Sequence, residues 1–331
     1  MKSQLKNLFS ICLCLLILSG ITGLASSADK DFPSRAINLY VGWGPGGGTS
    51  MQARIISSKA TELLNTPVVV KNKPGASASI CHDFVRRAKP DGYTLMLTTS
   101  ADSLTAPLLL GTPYKVADFE YFGMFAGNPM VLVVNSKSPW NTLQDLIKYA
   151  KANPGKLKYA SGGPSSATRV MMEIFKNEAG VNIVHVPFKS EPEILAAMLG
   201  EHCQVAISHL TGIQPVKDSG QLRVLSAVSE KRLKWYPDLP TLAEQGLSTP
   251  IYEPFWAVGG PSGMPKEVSA KLKDALEKTF QDKEVTKMLV RLGATPTFMS
   301  GEDLTKYLNS QIDKLSVVYK KIGFEVKYKG E

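Results

Sequence analysis

The stretch Gly42–Ser50 of this 331-residue chain places five glycines within seven residues, directly after the apolar run 37–41. Glycine loses more backbone entropy on folding than any other residue, so a loop this bare indicates that something approaches its backbone closely. A helical pattern follows at 49–64, and the free N–H groups and dipole at a helix N-terminus attract anions. These residues predict an anion-binding loop, with a plain tight turn as the alternative.

The glycine-rich loop fits two nucleotide-binding patterns only in part. Gly42, Gly44 and Gly47 have the spacing of a dinucleotide fingerprint, but the second strand ends in the basic run 71–73 where an acidic residue should hold the ribose. The phosphate-loop pattern requires a lysine at the position of Gly48. Both patterns lack the residue that recognises the nucleotide, which leaves the general anion-binding property.

Two further loops of small residues, at 72–79 and 161–169, open predicted helices, and Thr99-Ser100 ends a predicted strand. Each loop alone is typical of a turn or a helix N-cap. At equivalent positions of successive strand–helix units, the loops would surround one cleft with backbone amides and hydroxyl groups. Their concurrence favours a binding site.

Side chains that carry catalysis or bind metals are sparse. The four histidines have neither HxH nor HExxH spacing, so we predict no metal site. His185 lies in a strand pattern and is predicted to be a core histidine, whereas His209 follows a short strand at a loop, where it is positioned to face the cleft. No nucleophile-elbow motif surrounds Ser165 or Ser166. We predict a protein that is not an enzyme and that uses no cofactor.

Apolar β-rich runs alternate with helical patterns over most of the chain. Strands are predicted at 37–41, 67–73, 93–99 and 129–135, with helices at 49–64 and 77–89 and further strand–helix units after 135. This alternation, with short loops, predicts parallel sheets flanked by helices. From Phe255 onward two long helical patterns with polar faces follow. The chain is therefore predicted to be an α/β protein of two lobes with a ligand cleft between them.

The first 28 residues are typical of a secretory signal peptide. Lys2 and Lys6 precede a long apolar stretch, and small residues at 26–28 suit cleavage. The alternative is a membrane anchor, although the apolar stretch is close to the lower length limit for spanning a bilayer. Export to the periplasm is the prediction.

Charge and cysteine content exclude other classes of protein. The net charge is +9, or about +7 without the two leader lysines, and no basic cluster is interleaved with aromatic residues, so we predict no nucleic-acid partner. Cys81 and Cys203 remain after processing and are predicted to be two buried thiols, with a disulfide as the alternative.

The chain resembles the periplasmic solute-binding proteins of tripartite tricarboxylate transporters, the TctC or Bug family. The resemblance covers nearly all of the mature chain and rests on the runs FPSRAINLYVGWGPGGGTS, VVVKNKPGASAS, KPDGYTLMLTTS, VPFKSEPEILAAMLGEHCQVAIS, LRVLSAVSEKRLKWYPDLPTLAEQG and WAVGGPSGMPKEV. It implies a two-lobed periplasmic-binding-protein fold (type II-like) that closes on a small organic carboxylate. A monomer that delivers the ligand to membrane transporter subunits is the expected form.

In this family, backbone amides and hydroxyl groups of the first strand–helix loop and its neighbours hold a ligand carboxylate, with ordered water bridging. The resemblance places the first-lobe contacts at Trp43, Gly44, Pro45, Gly46, Gly47, Gly48, Thr49, Ala76, Ser77 and Ser100. It places the second-lobe contacts at Ser161, Gly162, Ser165, Ser166, Phe188 and Lys189. The loop position of His209 adds this residue to the predicted site.

The chain departs from the family pattern in four places. The family commonly has PGAGG at 74–78, a histidine at Arg169, a glycine at Ser190 and an aspartate near Ser208. The loss of an acid and the gain of Arg169 favour a more negatively charged ligand. We predict that Arg169 holds the end of the ligand far from the glycine loop, with a solvated helix arginine as the alternative and Lys189 as the next candidate.

The predicted lobes are residues 29–127 with 251–331, and residues 128–250, with crossings near Gly127 and Ile251. The predicted function is capture of a small organic carboxylate in the periplasm for a tripartite tricarboxylate-type transporter. A periplasmic ligand-binding subunit of a sensory system is one alternative, and a secreted dinucleotide-dependent enzyme is another.

Overall fold

The computed structural model describes residues 32–234, 236–247 and 252–328. The predicted signal peptide and the predicted second crossing at Ile251 lie outside the described residues. No helix within the described ranges has both the length and the apolar character needed to cross a bilayer.

Within the described residues, the first sheet contains six strands. Their bounds are β1 Ile37–Val41, β2 Val68–Asn72, β3 Thr94–Thr99, β4 Phe119–Gly127, β10 Phe255–Pro261 and β11 Thr295–Ser300. The strand order is β11-β4-β10-β3-β1-β2. The chain therefore builds this sheet from two separate parts of the sequence.

The second sheet takes its five described strands from one continuous part of the chain. They are β5 Met130–Asn135, β6 Lys158–Ser161, β7 Val184–Pro187, β8 Val205–His209 and β9 Leu222–Val228, in the order β7-β6-β8-β5-β9. β5 is buried along its whole length and apolar up to its last residue, Asn135, as expected for a strand covered on both faces.

Helices cover both sheets. Their bounds are α1 Gly48–Leu64, α2 Ser79–Arg86, α3 Ala106–Leu110, α4 Leu143–Ala152, α5 Ala167–Ala179, α6 Glu191–Leu199, α7 Leu210–Asp218, α8 Lys266–Gln281, α9 Lys283–Arg291 and α10 Gly301–Lys321. Side-chain caps fix several starts: the Ser166 hydroxyl accepts the Arg169 N–H at 3.2 Å, and Thr142 accepts the Asp145 N–H at 3.1 Å. A π-helical turn at Ala101–Thr105 joins β3 to α3.

The prediction of parallel sheets is wrong in part, because both sheets are mixed. β1 is parallel to β2 and β3, and β6 is parallel to β7 and β8. β10, however, is antiparallel to β3 and β4, and β5 is antiparallel to β8 and β9. Two parallel strands that follow each other in one sheet need a crossover connection between them. β5 and β10 each enter their sheet from the other sheet, so no crossover of this kind sets their direction.

Cys81 and Cys203 are free and buried, which confirms the predicted thiols. Burial raises the pKa of the Cys81 thiol to about 12, so this sulfur stays protonated.

Candidate functional site

A cavity of about 70 Å³ lies where the loops of the two sheets meet. Its wall is formed by the glycine-rich loop, the end of β3, Asn128 at the first crossing, Phe255 of β10, and the first turns of α5, α6 and α7. A cavity of this volume accommodates roughly five water molecules, or a small ligand of comparable size.

Four helices of at least nine residues begin at this cavity. The residues that line it include Gly48 at the start of α1, Ala167 at the start of α5, Glu191 at the start of α6, and Thr211 in the first turn of α7. Each helix start has N–H groups that lack an intrahelical partner, together with the positive end of its dipole. The Arg169 N–H of α5 donates to Ser166 Oγ, and the Leu210 N–H of α7 donates to the Pro129 carbonyl. The convergence of the four helix starts makes a site for an anion without lysine or arginine.

The glycine-rich loop is held in place by side chains behind it. The Ser50 hydroxyl donates to the Gly44 carbonyl at 3.1 Å, and the Asn72 amide donates to Ser50 Oγ at 2.6 Å and to the Trp43 carbonyl at 2.8 Å. These bonds tie the loop to α1 and to the end of β2. The backbone amides of the loop are therefore preorganised.

Two glycines of the loop, Gly44 and Gly48, lie close to the helix starts of the second sheet. A Cβ atom on Gly48 would lie 2.7 Å from Thr211 Oγ1, and one on Gly44 would lie 3.0 Å from Ser190 Cβ. A Cβ on Gly47 would make only ordinary contact, at 3.7 Å from Glu191 Cβ. The loop thus allows close approach of α6 and α7 as well as of a ligand.

The ionisable side chains of the cavity carry little positive charge. Burial lowers the pKa of His209 to about 4, so its imidazole is neutral near pH 7, and Nδ1 lies 3.4 Å from the Asn128 carbonyl oxygen. Burial raises the pKa of Glu191 to about 7. No lysine or arginine is among the described residues that line the cavity. Attraction of an anion therefore comes from backbone dipoles.

A buried polar network supports the end of β3 beneath the cavity. His82 Nε2 lies 2.9 Å from Thr98 Oγ1, and the Thr99 N–H donates to Asp102 Oδ1 at 3.1 Å. Burial lowers the pKa of His82 to about 4 and raises that of Asp102 to about 7. The network fixes the turn that brings Ser100 to the cavity.

Half of the predicted site residues line the cavity: Trp43, Gly44, Gly47, Gly48, Thr49, Ser100, Gly162, Ser166 and His209. Thr49 Oγ1 accepts the Trp256 indole N–H at 3.2 Å, and the indole nitrogen of Trp43 is buried with no hydrogen-bond partner among the described residues. The Trp43 N–H is therefore a donor available to a ligand.

The structure places the other predicted residues around the cavity instead of in its wall: Pro45, Gly46, Ala76, Ser77, Ser161, Ser165, Arg169, Phe188 and Lys189. Ser161 Oγ lies 2.7 Å from His185 Nε2, and its side chain is engaged there. Pro45 and Lys189 are exposed. Their contact with a ligand stays a prediction.

Arg169 lies on the far side of the α5 N-terminus. Its guanidinium donates to the Pro164 carbonyl, and Cζ lies 4.8 Å from the centroid of the Phe324 ring. In this conformation the guanidinium is not part of the cavity wall. The role of distal anchor remains a prediction that the geometry does not favour.

The family model of the tripartite tricarboxylate transporter family receptor, TctC, matches residues 52–324. The chain belongs to this family. It is 32% identical over 312 residues to the UPF0065 protein in the gbd 5' region of Cupriavidus necator, covering 92% of this chain and 93% of that protein. The family consists of periplasmic binding proteins.

Solved structures of similar proteins have the same fold. The periplasmic binding protein BugD is 28% identical and superposes with a TM-score of 0.84, covering 89% of this chain and 99% of that one. The R. palustris protein Rpa4515, solved with adipate, is 29% identical with a TM-score of 0.85 and the same coverages. The predicted family and the two-lobed periplasmic-binding-protein fold are confirmed.

One departure from the TctC pattern has a structural consequence. Ala76, Ser77 and Ala78 all have positive φ angles, of 47°, 50° and 71°. Left-handed backbone costs a residue other than glycine about 1–2 kcal/mol. This chain therefore carries strain in a loop where the family commonly has glycines at two of these positions.

Asn128, Glu191 and Thr211 are polar residues of the cavity wall that sequence reasoning missed. The Thr211 hydroxyl donates to Asn128 Oδ1 at 3.2 Å, and the Asn128 N–H donates to the Pro254 carbonyl at 2.6 Å. Asn128 thereby joins the first crossing both to α7 and to the segment that leads into β10. The signal for Asn128 in the sequence was a polar residue directly before the apolar run 129–135.

Proposed function

We propose that this TctC-family chain captures a small organic carboxylate in the periplasm and delivers it to the membrane subunits of a tripartite tricarboxylate-type transporter. The observation that carries the proposal is the convergence of four helix N-termini on one cavity whose described wall contains no lysine or arginine. Such a site suits a carboxylate, which accepts several N–H bonds at once. Adipate in the R. palustris relative supports the same ligand class.

The ligand contacts follow from the cavity wall. One carboxylate group accepts bonds from the glycine-loop amides, from the Trp43 indole and from the first turn of α5. The proposed contacts are Trp43, Gly44, Gly47, Gly48, Thr49, Ser100, Asn128, Gly162, Ser166, Glu191, His209 and Thr211.

The proposed lobes are 29–127 with 251–331, and 128–250. The division of the described strands between the two sheets supports these bounds, since β1 to β4, β10 and β11 share one sheet and β5 to β9 share the other. Asn128 would then act at the hinge. The chain is proposed to work as a monomer without catalysis.

Calorimetric titration tests the ligand class. Protein refolded from denaturant, to remove a bound ligand, is titrated with mono-, di- and tricarboxylates and with NAD and FAD as controls. We expect heat with at least one carboxylate and none with the dinucleotides. A ligand at a hundred times its Kd should also stabilise the protein by about 2.7 kcal/mol. Binding of a dinucleotide, with no carboxylate bound, would contradict the proposal.

Transport is separated from sensing in cells. Deletion of the gene should abolish uptake of the radiolabelled carboxylate identified by calorimetry, and fractionation should recover the protein in the periplasm. Unchanged uptake together with loss of a transcriptional response to the same carboxylate would favour the sensory alternative.

A further inference from the structure

The cavity wall contains one carboxyl group whose oxygen lacks a partner. Glu191 begins α6 and lines the cavity, and its Oε1 is buried without a hydrogen bond from any described residue. The Ser208 hydroxyl is close enough to this carboxyl group to act against the rise in its pKa, although neither Ser208 Oγ nor Glu191 Oε1 has a hydrogen bond of good geometry among the described residues. A buried acceptor without a donor is costly. Its presence in a ligand cavity indicates that a ligand supplies the donor.

The position of Glu191 is restricted by glycine neighbours on two sides. A Cβ atom on Gly212 would lie 2.5 Å from Glu191 Cγ and 3.0 Å from Oε1, so α7 leaves room for this side chain only because residue 212 is glycine. Gly47 of the opposite loop faces Glu191 Cβ. The Glu191 side chain therefore lies between the glycine-rich loop, which is next to its Cβ, and α7, which is next to its carboxyl group.

The charges around Glu191 do not neutralise it. His209 from β8 is neutral near pH 7, α7 contributes the uncharged Thr211, and the glycine-rich loop contributes no ionisable group. In its own segment Lys189 is exposed, and the Glu193 carboxylate accepts the Lys189 N–H. Burial raises the pKa of Glu191 to about 7, which means that pairing with a cation would readily ionise it at neutral pH.

A ligand carboxylate at the helix N-termini would lie in the same small cavity as this carboxyl group. Two anions repel each other there, and a bare alkyl carboxylate offers Oε1 no donor. An ammonium group on the ligand removes both problems, because it donates to Oε1 and neutralises the second charge.

We propose that Glu191 binds a cationic nitrogen of the ligand, so that the preferred ligand is an amino-substituted carboxylate. The inference rests on the proposed function and adds the chemical class of the substrate. The carboxylate of the ligand then faces the glycine-rich loop and α5, and its ammonium group faces the start of α6.

Matched ligand series test the role of Glu191 by calorimetry. The probes are propionate, L-lactate and L-alanine; succinate, L-malate and L-aspartate; glutarate, 2-hydroxyglutarate and L-glutamate; and adipate with 2-aminoadipate. The native protein should bind the amino member of its best series roughly ten- to a hundred-fold more tightly than the unsubstituted acid. Glu191→Gln should abolish that preference and bind the unsubstituted acid at least as well as before. Glu178→Gln, an exposed acid on α5, serves as the control for loss of one negative charge.

Two further measurements separate the ammonium partner from a general effect on the site. Gly212→Ala should displace the carboxyl group without changing its charge, and it should also reduce the amino preference. Pairing with an ammonium ion favours ionised Glu191, so binding of the amino ligand at about pH 6.5 should release a proton from Glu191. For the same reason, the affinity for the amino ligand should rise with pH through neutrality. Titration in two buffers of different ionisation enthalpy measures this proton release, which Glu191→Gln should remove.

The inference is overturned if the hydroxy acid binds as tightly as the amino acid, or if the unsubstituted acid binds best to the native protein. Proton uptake on binding would overturn it as well, because it would show that Glu191 becomes protonated and donates a hydrogen bond to a ligand carboxylate. In each of these cases carboxylate capture still stands. If no carboxylate binds the native protein or the variants, the proposed function itself fails.

Discussion

At the scale of single residues, the chemistry of the site lies in groups that have no partner within the chain. Trp43 and Trp140 both have a buried indole nitrogen without a hydrogen bond among the described residues, but only Trp43 lines the cavity. Membership of the cavity wall is therefore what makes the Trp43 N–H, and not the Trp140 N–H, the donor that we expect a ligand to use.

Trp43→Phe removes the donor and keeps most of the ring. If the Trp43 N–H binds the ligand carboxylate, affinity should fall by roughly tenfold or more, since a hydrogen bond to a charged group contributes about 1.5–3 kcal/mol. Trp140→Phe is the matched control and should leave Kd unchanged. Titration calorimetry decides, and equal affinities of the native protein and Trp43→Phe would remove the indole from the proposed contacts.

The strained loop gives a residue-scale prediction about stability. Ala76 is exposed and has a φ of 47°, so glycine relieves its strain and little packing is lost. We expect Ala76→Gly to raise the free energy of unfolding by about 0.5–1 kcal/mol in urea titrations. Ala196→Gly, at an exposed position within α6, should lower it by about the same amount. A loss of stability in Ala76→Gly would show that the left-handed backbone is not strained.

At the scale of elements, sequence patterns predicted the units that are locally encoded. The predicted strand at 37–41 matches β1, and the predicted helix at 49–64 begins one residue after α1 does. β4, β10 and β11 were not predicted as strands, because glycines interrupt β4 and β10, and β11 is too polar to show an apolar run. Their place in the sheet depends on contacts between distant parts of the chain.

The same limit applies to the site. The glycine-rich and hydroxyl-rich loops before the helices predicted the helix N-termini, because the residues that begin a helix lie next to it in the sequence. Arg169 was predicted as a ligand contact because it departs from the family pattern, whereas Glu191 was not considered. Which side of a helix start faces the cavity depends on how α5 and α6 pack, and one sequence does not encode that in a visible pattern.

Because helix starts contact the glycine-rich loop, alanine should reduce ligand affinity by different amounts at the adjacent positions Gly47 and Gly48. Gly48→Ala would place Cβ 2.7 Å from Thr211 Oγ1, whereas Gly47→Ala would place it 3.7 Å from Glu191 Cβ. Overpacking costs about 1–3 kcal/mol, so Gly48→Ala should weaken every carboxylate ligand roughly ten- to a hundred-fold, and Gly47→Ala should bind nearly as the native protein does. Adding Thr211→Ala to Gly48→Ala should recover most of the loss. Calorimetry of the four proteins decides, and equal effects of the two glycine substitutions would contradict the steric explanation.

At the scale of the whole molecule, the two halves, each a sheet with its helices, touch at the cavity, where the positive ends of their helices repel one another. The helices of the second sheet touch the loop of the first, and the Asn128–Pro254 hydrogen bond joins the two chain segments near the crossings. Four positive helix ends around one cavity repel one another unless an anion lies between them. We therefore expect a bound carboxylate to stabilise the closed arrangement, and its removal to favour separation of the halves about the crossings.

Small-angle scattering tests this coupling between ligand and closure. The refolded, ligand-free protein should have a larger radius of gyration than the protein saturated with its carboxylate, because opening moves α6 and α7 away from the glycine-rich loop. Gly48→Ala should keep the larger radius at ligand concentrations that close the native protein, since its added methyl group meets Thr211 before closure is complete. Gly47→Ala should close normally. Identical scattering curves with and without ligand, in samples where calorimetry shows full occupancy, would mean that the cavity is a fixed pocket and that the bare glycines serve ligand approach alone.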